Sequence, residues 1–264
     1  MCTHTHGCVE FILEKSVQPE ERTTELFFLL ASMDRRRILS ELQRENLKLN
    51  EVAKRLDMTA TETLRQLQRL TEGGLLEKIP DGKYRLTSYV KLVLDTSSPL
   101  EFISKFREFF LVHDASLLPA EYRARLGELS DGKLMATTTE TFNNTTEMIK
   151  NARERIDATV EVGFEVHLQM MKQRLEQGVK VRWLMQESFL TKARQRLRSE
   201  KQLPEIRSIP RLCGHIYVTD KAAAITLRRN DGTMSLISLY GEDPPFLKWA
   251  ADLFDEEWQK AKLW

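Results

Sequence analysis

The 264-residue chain is 41% hydrophobic and 30% charged, an ordinary composition for a folded protein and a length that accommodates two domains. Its formal net charge of +1 excludes an overall field that would draw the whole molecule to nucleic acid or to a membrane, so a nucleic-acid surface has to be a local patch. Apolar runs such as LFFLLA fall far short of the roughly 20 residues a membrane span needs. No secretory pattern opens the chain, and three irregularly spaced cysteines make no disulfide framework, which together point to a reducing, cytoplasmic setting with no membrane partner.

The chain begins MCTHTHGC. Cys2, His4, His6 and Cys8 are all donors for zinc or copper(I). In strict alternation they spread over about 20 Å of extended chain, and a tetrahedral site needs a curl at Gly7 or a further ligand such as Cys213. No capping or apolar pattern anchors this stretch, so residues 1–20 read as a flexible tail that carries weak metal candidates.

From Glu21 the pattern turns helical, with Leu26, Leu29, Leu30, Met33, Ile38 and Leu42 at three- and four-residue steps and a basic run at Arg35, Arg36 and Arg37. A second helix follows in NEVAKRLD. A third follows in MTATETLRQLQRLTEGG, capped by Thr59 or Thr61 and closed by Gly73-Gly74. Two β-prone runs flank Asp81-Gly82, a strong hairpin signal. Three helices and a hairpin in this order predict a winged helix-turn-helix over residues 21–97.

With Leu64, Leu67 and Leu70 taken as the buried stripe of the third helix, its outward set is Thr61, Glu62, Arg65, Gln66, Gln68 and Arg69. Arg and Gln make bidentate contacts to guanine and adenine edges in the major groove. Thr59 and Thr63 suit phosphates beside the helix N-terminus, and Lys83 and Arg85 on the hairpin suit the flanking backbone or minor groove. A charged outward face is ordinary for a single helix; the basic hairpin and the positioning helix tip the reading toward DNA.

The run from Ser32 to Thr87 resembles the winged helix of the arsenic-repressor-like regulators, on the basic-Ile-Leu stretch at Arg35–Leu39, the Glu-Val-Ala-x-x-Leu second helix and the Leu-x-x-Leu third helix closing on Gly-Leu. The resemblance implies a dimeric DNA-binding protein.

In residues 98–129, Leu100, Ile103, Phe106, Phe109 and Phe110 share one face behind a Ser98-Pro99 helix entrance. The domain's own core, the commoner case, or a second subunit has to cover it, and in a winged-helix regulator this segment reads as a connector and dimer element. Beyond Ser130, helix and strand patterns alternate. TTEMIKNARERI and VHLQMMKQRLEQG are helical, and ATVEVGF and VKVRWLM form strands around the second of them, a βαβ unit with a parallel pair. IYVTD, AAAITL and SLISLYG add strands, and PPFLKWAADLFDEEWQKA adds a closing helix. The predicted fold class is therefore α+β and multidomain: a winged helix-turn-helix, then an α/β effector domain with a mixed sheet over residues 130–264.

That second domain is similar to the effector domain of archaeal regulators of the methanogenesis-and-filament type, and more distantly to sugar-sensing archaeal regulators with a phospholipase-D-like fold. The landmarks are PLEFISKFREFFLVHDASLLP, Gly178-Val-x-Val-Arg182, VTDKAAAI and WAADLFDEEW. The resemblance implies an archaeal ligand-responsive transcription factor.

A phospholipase-D-like hydrolase needs His-x-Lys-x-x-x-x-Asp. With Asp220 as the motif Asp, the His position holds Cys213 and the Lys position holds His215, so nucleophile and charge clamp are both missing. No catalytic residue is assigned, and no other triad, P-loop or dinucleotide fingerprint occurs. A ligand is expected beyond the carboxyl ends of the strands, with Glu161, Glu165, Arg182, Trp183, Arg211, His215 and Arg228 as candidate liners.

The chain thus reads as a sequence-specific DNA-binding regulator, a homodimer switched by an unidentified small-molecule effector, without a cofactor. The alternatives are a phosphodiesterase-like hydrolase, a metal-responsive repressor using the N-terminal tail, and a protein–protein adaptor.

Overall fold

The structure, a computed structural model, describes residues 18–160, 165–191 and 202–263. The chain divides into two compact units, Met1–Thr96 and Ser97–Trp264.

In the first unit, α1 (Pro19–Ala31), α2 (Met33–Arg44), α3 (Leu49–Leu56) and α4 (Ala60–Glu72) precede β1 (Leu76–Lys78) and β2 (Tyr84–Leu86). The single helical stretch expected from Glu21 to Leu42 is two helices. Ser32 adopts extended backbone between them, and its hydroxyl accepts the first free N–H of α2, from Arg35. The Ser-x-Asp at this point was the legible signal for that break. The α3–α4 corner turns on Asp57, in left-handed conformation at φ 54°, and the Thr59 hydroxyl caps α4 by accepting from Glu62 N. β1 and β2 pair antiparallel, and Gly82 closes their loop at φ 80°, a conformation that favours glycine. Leu47 bridges to Tyr84 through two backbone hydrogen bonds and widens this hairpin into a wing. Ile38, Leu39, Leu47, Val52, Leu67, Leu70, Leu75 and Val90 form the buried centre.

α5 (Ser88–Lys105) contains the boundary between the units and runs through Pro99, which therefore stands inside a helix and not at a helix entrance. The second unit continues with α6 (Arg107–Val112), α7 (Ala120–Ala124), β3 (Lys133–Met135), α8 (Thr138–Asn151), β4 (Arg155–Val160), α9 (Glu165–Glu176), β5 (Lys180–Gln186), β6 (Glu205–Ile209), β7 (Gly214–Thr219), β8 (Ala223–Leu227), β9 (Ser238–Gly241), α10 (Pro244–Lys260) and β10 (Lys262–Leu263). Eight strands form one mixed sheet in the order β10-β6-β5-β4-β7-β8-β9-β3. The expected parallel β4–β5 pair is present, and β6, which carries only a short alternating pattern in the sequence, extends it in parallel.

Strand alternation sends side chains to two different cores. Leu184, Ile216, Val218, Ile225, Leu227 and Leu239 pack under α10 against Phe246, Trp249, Leu253 and Phe254. Ile156, Ala158, Val181, Trp183 and Met185 pack on the opposite face with Ile149 of α8 and Met171 of α9. Of the aromatic run at the start of this unit, Phe102, Phe106 and Phe109 belong to the α10-side core, while Leu100 and Ile103 are exposed.

Candidate nucleic-acid interface and ligand cavity

α4 presents its residues in a different phase from the one the leucine pattern suggests. Thr63, Gln66, Leu67 and Leu70 are buried, and Leu64 is 40% exposed. The outward face is Thr61, Leu64, Arg65, Gln68 and Arg69. Gln66 is the residue the pattern misplaced, because a polar side chain was assumed to face solvent. It is 4% exposed, accepts a hydrogen bond at 3.1 Å from Arg35 Nη1 and donates to the Glu62 carboxylate. Thr63 likewise turns inward, its hydroxyl donating to Thr59 O.

Arg35, read from the sequence as part of a basic run, is buried. Its Nε donates to Leu29 O and its Nη2 to Phe28 O, both at 2.6 Å, and its guanidinium carbon lies 5.3 Å from the Phe28 ring centre. Burial lowers its pKa, with Arg69 adding repulsion. One guanidinium thus ties the last turn of α1 and the first turn of α2 to the middle of α4. The apparent surplus of positive charge in the sequence is partly spent on fixing α4 in place.

The residues left for a partner are Thr61, Arg65, Gln68 and Arg69 on α4, with Lys83 and Arg85 on the wing. Arg65 reaches Glu62 at 2.7 Å, Arg85 reaches Glu77 at 2.8 Å and Lys83 lies 3.9 Å from Asp81. These are solvent-facing pairs that contribute little to stability, and phosphates or base edges readily displace them.

In the second unit the described residues line a partly open cavity of about 40 Å³, formed by Thr141 and Thr145 of α8, His167 of α9, His215 and Tyr217 of β7, Ala224 and Thr226 of β8, Ser235 and Leu236 of the following loop, and Ser238 of β9. Hydroxyls and imidazoles punctuate a mostly apolar wall. In the same measure one water needs ~10–15 Å³, so the space holds roughly three water-sized groups. It lies on the α8–α9 face, beside the carboxyl end of β4, since His215 pairs with Thr226 and precedes Tyr217, the partner of Ala158. No Asp, Glu, Lys or Arg lines it. Thr145, His167, His215, Thr226, Ser235 and Ser238 are nonetheless buried. The hydroxyls of Thr141 and Ser238 meet at 3.2 Å, and Thr146 bonds His167 Nε2 at 2.9 Å while Phe142 stacks on the imidazole. Burial lowers the His167 pKa and so favours the neutral ring, an effect partly offset by a bond to the Phe142 backbone.

Of the seven residues expected around a ligand, His215 lines this cavity. Arg182 and Trp183 do not, and as neighbours on one strand they face opposite sides of the sheet. Arg182 turns toward α10, where Asp157 holds it at 2.7 and 2.9 Å, Asp255 at 2.7 Å, and Phe254 and Trp258 flank it. Its Nε and Nη2 are engaged within the fold and its guanidinium faces α10, away from the cavity, which removes it as a ligand clamp there. Trp183 is core. Arg228 donates to Gly232 O and Gln186 Oε1, and Arg211 is exposed away from the lining. Glu161 lies outside the described residues, as do Cys2, His4, His6 and Cys8; Glu165 opens α9. Among the described residues no group of three or more His, Cys, Asp or Glu is placed to hold a metal ion.

The sequence reading missed Thr141, Thr145, His167, Tyr217, Thr226, Ser235 and Ser238. The one available signal was TTTETFNNTTE, where α8 carries threonines four apart on what should be an apolar face. Two groups at the would-be phosphodiesterase motif have other surroundings. Cys213 is buried, its thiol pushed up to about 12 by desolvation and the nearby Glu257. Asp220 accepts from the backbone N–H groups of Arg153 and Glu154.

Three helices with a hairpin wing, followed by an α/β unit with a small cavity, make a two-module chain of the regulator type. Residues 23–105 match the HVO_A0261 N-terminal domain family, and residues 138–260 match the middle domain of the methanogenesis regulatory protein FilR1. The chain thus carries an HVO_A0261-type N-terminal domain and, after it, a domain of the FilR1 middle type. No curated protein matches it. Among solved structures it is similar to TrmBL2, an archaeal chromatin protein, at 14% identity over 94% of this chain and 100% of that one, with a TM-score of 0.42. NucT from Helicobacter pylori is similar at 12% identity over 51% of this chain and 99% of that one, with a TM-score of 0.42. An IclR transcriptional regulator from Alicyclobacillus acidocaldarius is similar at 14% identity over 92% of this chain and 98% of that one, with a TM-score of 0.27. Among the described residues no helix is long and apolar enough to cross a membrane.

Proposed function

We propose that the chain is a sequence-specific, homodimeric DNA-binding transcriptional regulator whose second unit senses a small polar molecule. The observation that carries the DNA reading is the outward face of α4. Thr61, Arg65, Gln68 and Arg69 stand together on a helix immobilised by the Thr59 cap and the Arg35–Gln66 clamp. Such a helix enters the major groove with its first turns against base edges, and the wing brings Lys83 and Arg85 to the flanking phosphates. A homodimer follows from the two-fold symmetry of the operators that such units read.

The cavity is the proposed effector site, in place of the arginine-lined site expected from the sequence. Its hydroxyl and imidazole lining suits a neutral or weakly charged polar group. A bound molecule acts as a switch only if it binds one arrangement of the dimer more tightly than the other. With Cys213 buried and Asp220 held by backbone N–H groups, the reading includes no catalytic role.

Duplexes enriched by the protein from a random-sequence pool test the first part. Arg65→Ala/Arg69→Ala is expected to lower affinity for the enriched duplex about ten-fold or more and to blur its sequence, since each good base contact contributes about 1–3 kcal/mol of discrimination. Unchanged binding at near-physiological salt overturns the assignment. Lys83→Ala/Arg85→Ala is expected instead to weaken all sequences alike and to flatten the salt dependence.

A further inference from the structure

We propose that Leu64 reads a base: in the DNA complex its side chain takes the 5-methyl group of a thymine in the major groove. The inference rests on the DNA-binding reading above and adds a residue to it that hydrogen-bonding logic does not select.

Leu64 is 40% exposed, while Leu67 and Leu70, which share its spacing, are fully buried. It belongs neither to the buried core of its unit nor to the partly buried residues packed against that core. Single exposed leucines are ordinary on protein surfaces, so exposure alone says nothing. What distinguishes Leu64 is its position. It stands in the second turn of α4, between Thr61 and Gln68 on one face and next to Arg65, so it enters a groove together with them. Every other large side chain on that outward face carries hydrogen-bonding groups.

An aliphatic side chain pressed against a base edge leaves that edge's donors and acceptors without water and without a partner, which costs free energy. The major-groove edges of guanine, cytosine and adenine offer donors and acceptors and no methyl, whereas thymine presents a methyl beside its O4. Leu64 therefore favours thymine by burying a methyl and disfavours the other three bases by stranding their polar atoms. Arg65 and Gln68 meanwhile match guanine and adenine edges through paired hydrogen bonds.

The test uses the full chain and the duplexes it enriches from a random-sequence pool. Each enriched thymine is replaced in turn by uracil, which removes only the 5-methyl group. At one position per half-site the parent protein is expected to bind the uracil duplex about four-fold more weakly, the worth of one buried methyl group. Leu64→Ala is expected to bind the thymine duplex at least that much more weakly and to show no further loss with uracil. Alanine is the stronger helix former at this exposed position, so the variant folds, and an unchanged melting temperature checks this. Leu64→Met, which keeps an apolar contact, is expected to retain most of the thymine preference. If every uracil duplex binds as well as its thymine parent, or if Leu64→Ala keeps the full uracil penalty, the inference is overturned while sequence selection by Arg65 and Arg69 stands. If the parent enriches no sequence at all, the DNA-reading function falls and this inference with it.

Discussion

Arg35 and Gln66 show how far one residue's chemistry depends on its surroundings. Both look like surface groups in a polar, basic stretch, and both are buried in contact with each other. The three hydrogen bonds from Arg35 satisfy two carbonyls at the end of α1 and hold α4. Hydrogen bonds involving a buried charged group contribute about 1.5–3 kcal/mol, so Arg35→Ala is expected to cost about 3 kcal/mol, read as a shift in the urea midpoint of the first transition. Gln66→Ala leaves Arg35 Nη1 without that partner and is expected to cost about 1–3 kcal/mol while leaving base preference intact. A variant that kept its stability and changed its preferred sequence would return Gln66 to the reading face. At Gly214 the demand is steric, since a Cβ there would stand 2.4 Å from Thr226 O on the neighbouring strand. Gly214→Ala is therefore expected to spread β7 from β8 beside the cavity.

Two of the buried histidines of the second unit, His113 and His167, have lowered pKa values. His113, at the end of α6, donates from Nδ1 to Phe109 O at 2.8 Å and stacks on the Phe109 ring, and its Nε2 has no partner among the described residues. His167 sits in the first turns of α9. Burial lowers both pKa values from 6.5, and a bond to the backbone at Phe109 or Phe142 offsets part of each shift. Arg229 lowers the His113 value further. A lowered value means that below about pH 6.5 the unfolded chain takes up protons that the folded chain refuses. Their contribution is thus present in full above that pH and is lost as the pH falls. The urea midpoint of the second unit is expected to drop between pH 7.5 and 5.5, and His113→Gln/His167→Gln should flatten that dependence. An equally steep slope in the double variant would assign the effect to the carboxylates.

At the scale of the whole molecule, two separately packed units share one chain, and each carries its own core. Two units that share no core cluster imply two unfolding transitions, because cooperativity follows contiguous packing. Leu67→Ala removes a fully buried side chain from the first core and is expected to cost about 2–5 kcal/mol there. The transition of the second unit should stay unmoved, and so should any ligand-induced stabilisation that the cavity confers. Calorimetry of the full-length variant checks this, and a single merged transition that shifts as one would contradict it.

The sequence by itself determined the order and type of most elements: the winged helix, the parallel β4–β5 pair and the closing helix α10. Their signals are local, being periodicity, caps, and a turn at Asp81-Gly82 that needs φ > 0. Three short strands, β3, β6 and β10, were not legible, because strands of two to five residues carry too few alternations and gain their hydrogen bonds from neighbours distant in sequence. Only the tertiary structure decided which polar residues turn inward. Ridges of α4 alternate leucine with threonine and glutamine, and a buried arginine reaching from another helix fixed the phase, exposing Leu64 and burying Gln66. The same holds for the cavity, whose lining comes from two helices, three strands and the loop before β9. No spacing in a linear chain brings Thr145, His167, His215 and Ser238 together; the order of strands in the sheet does.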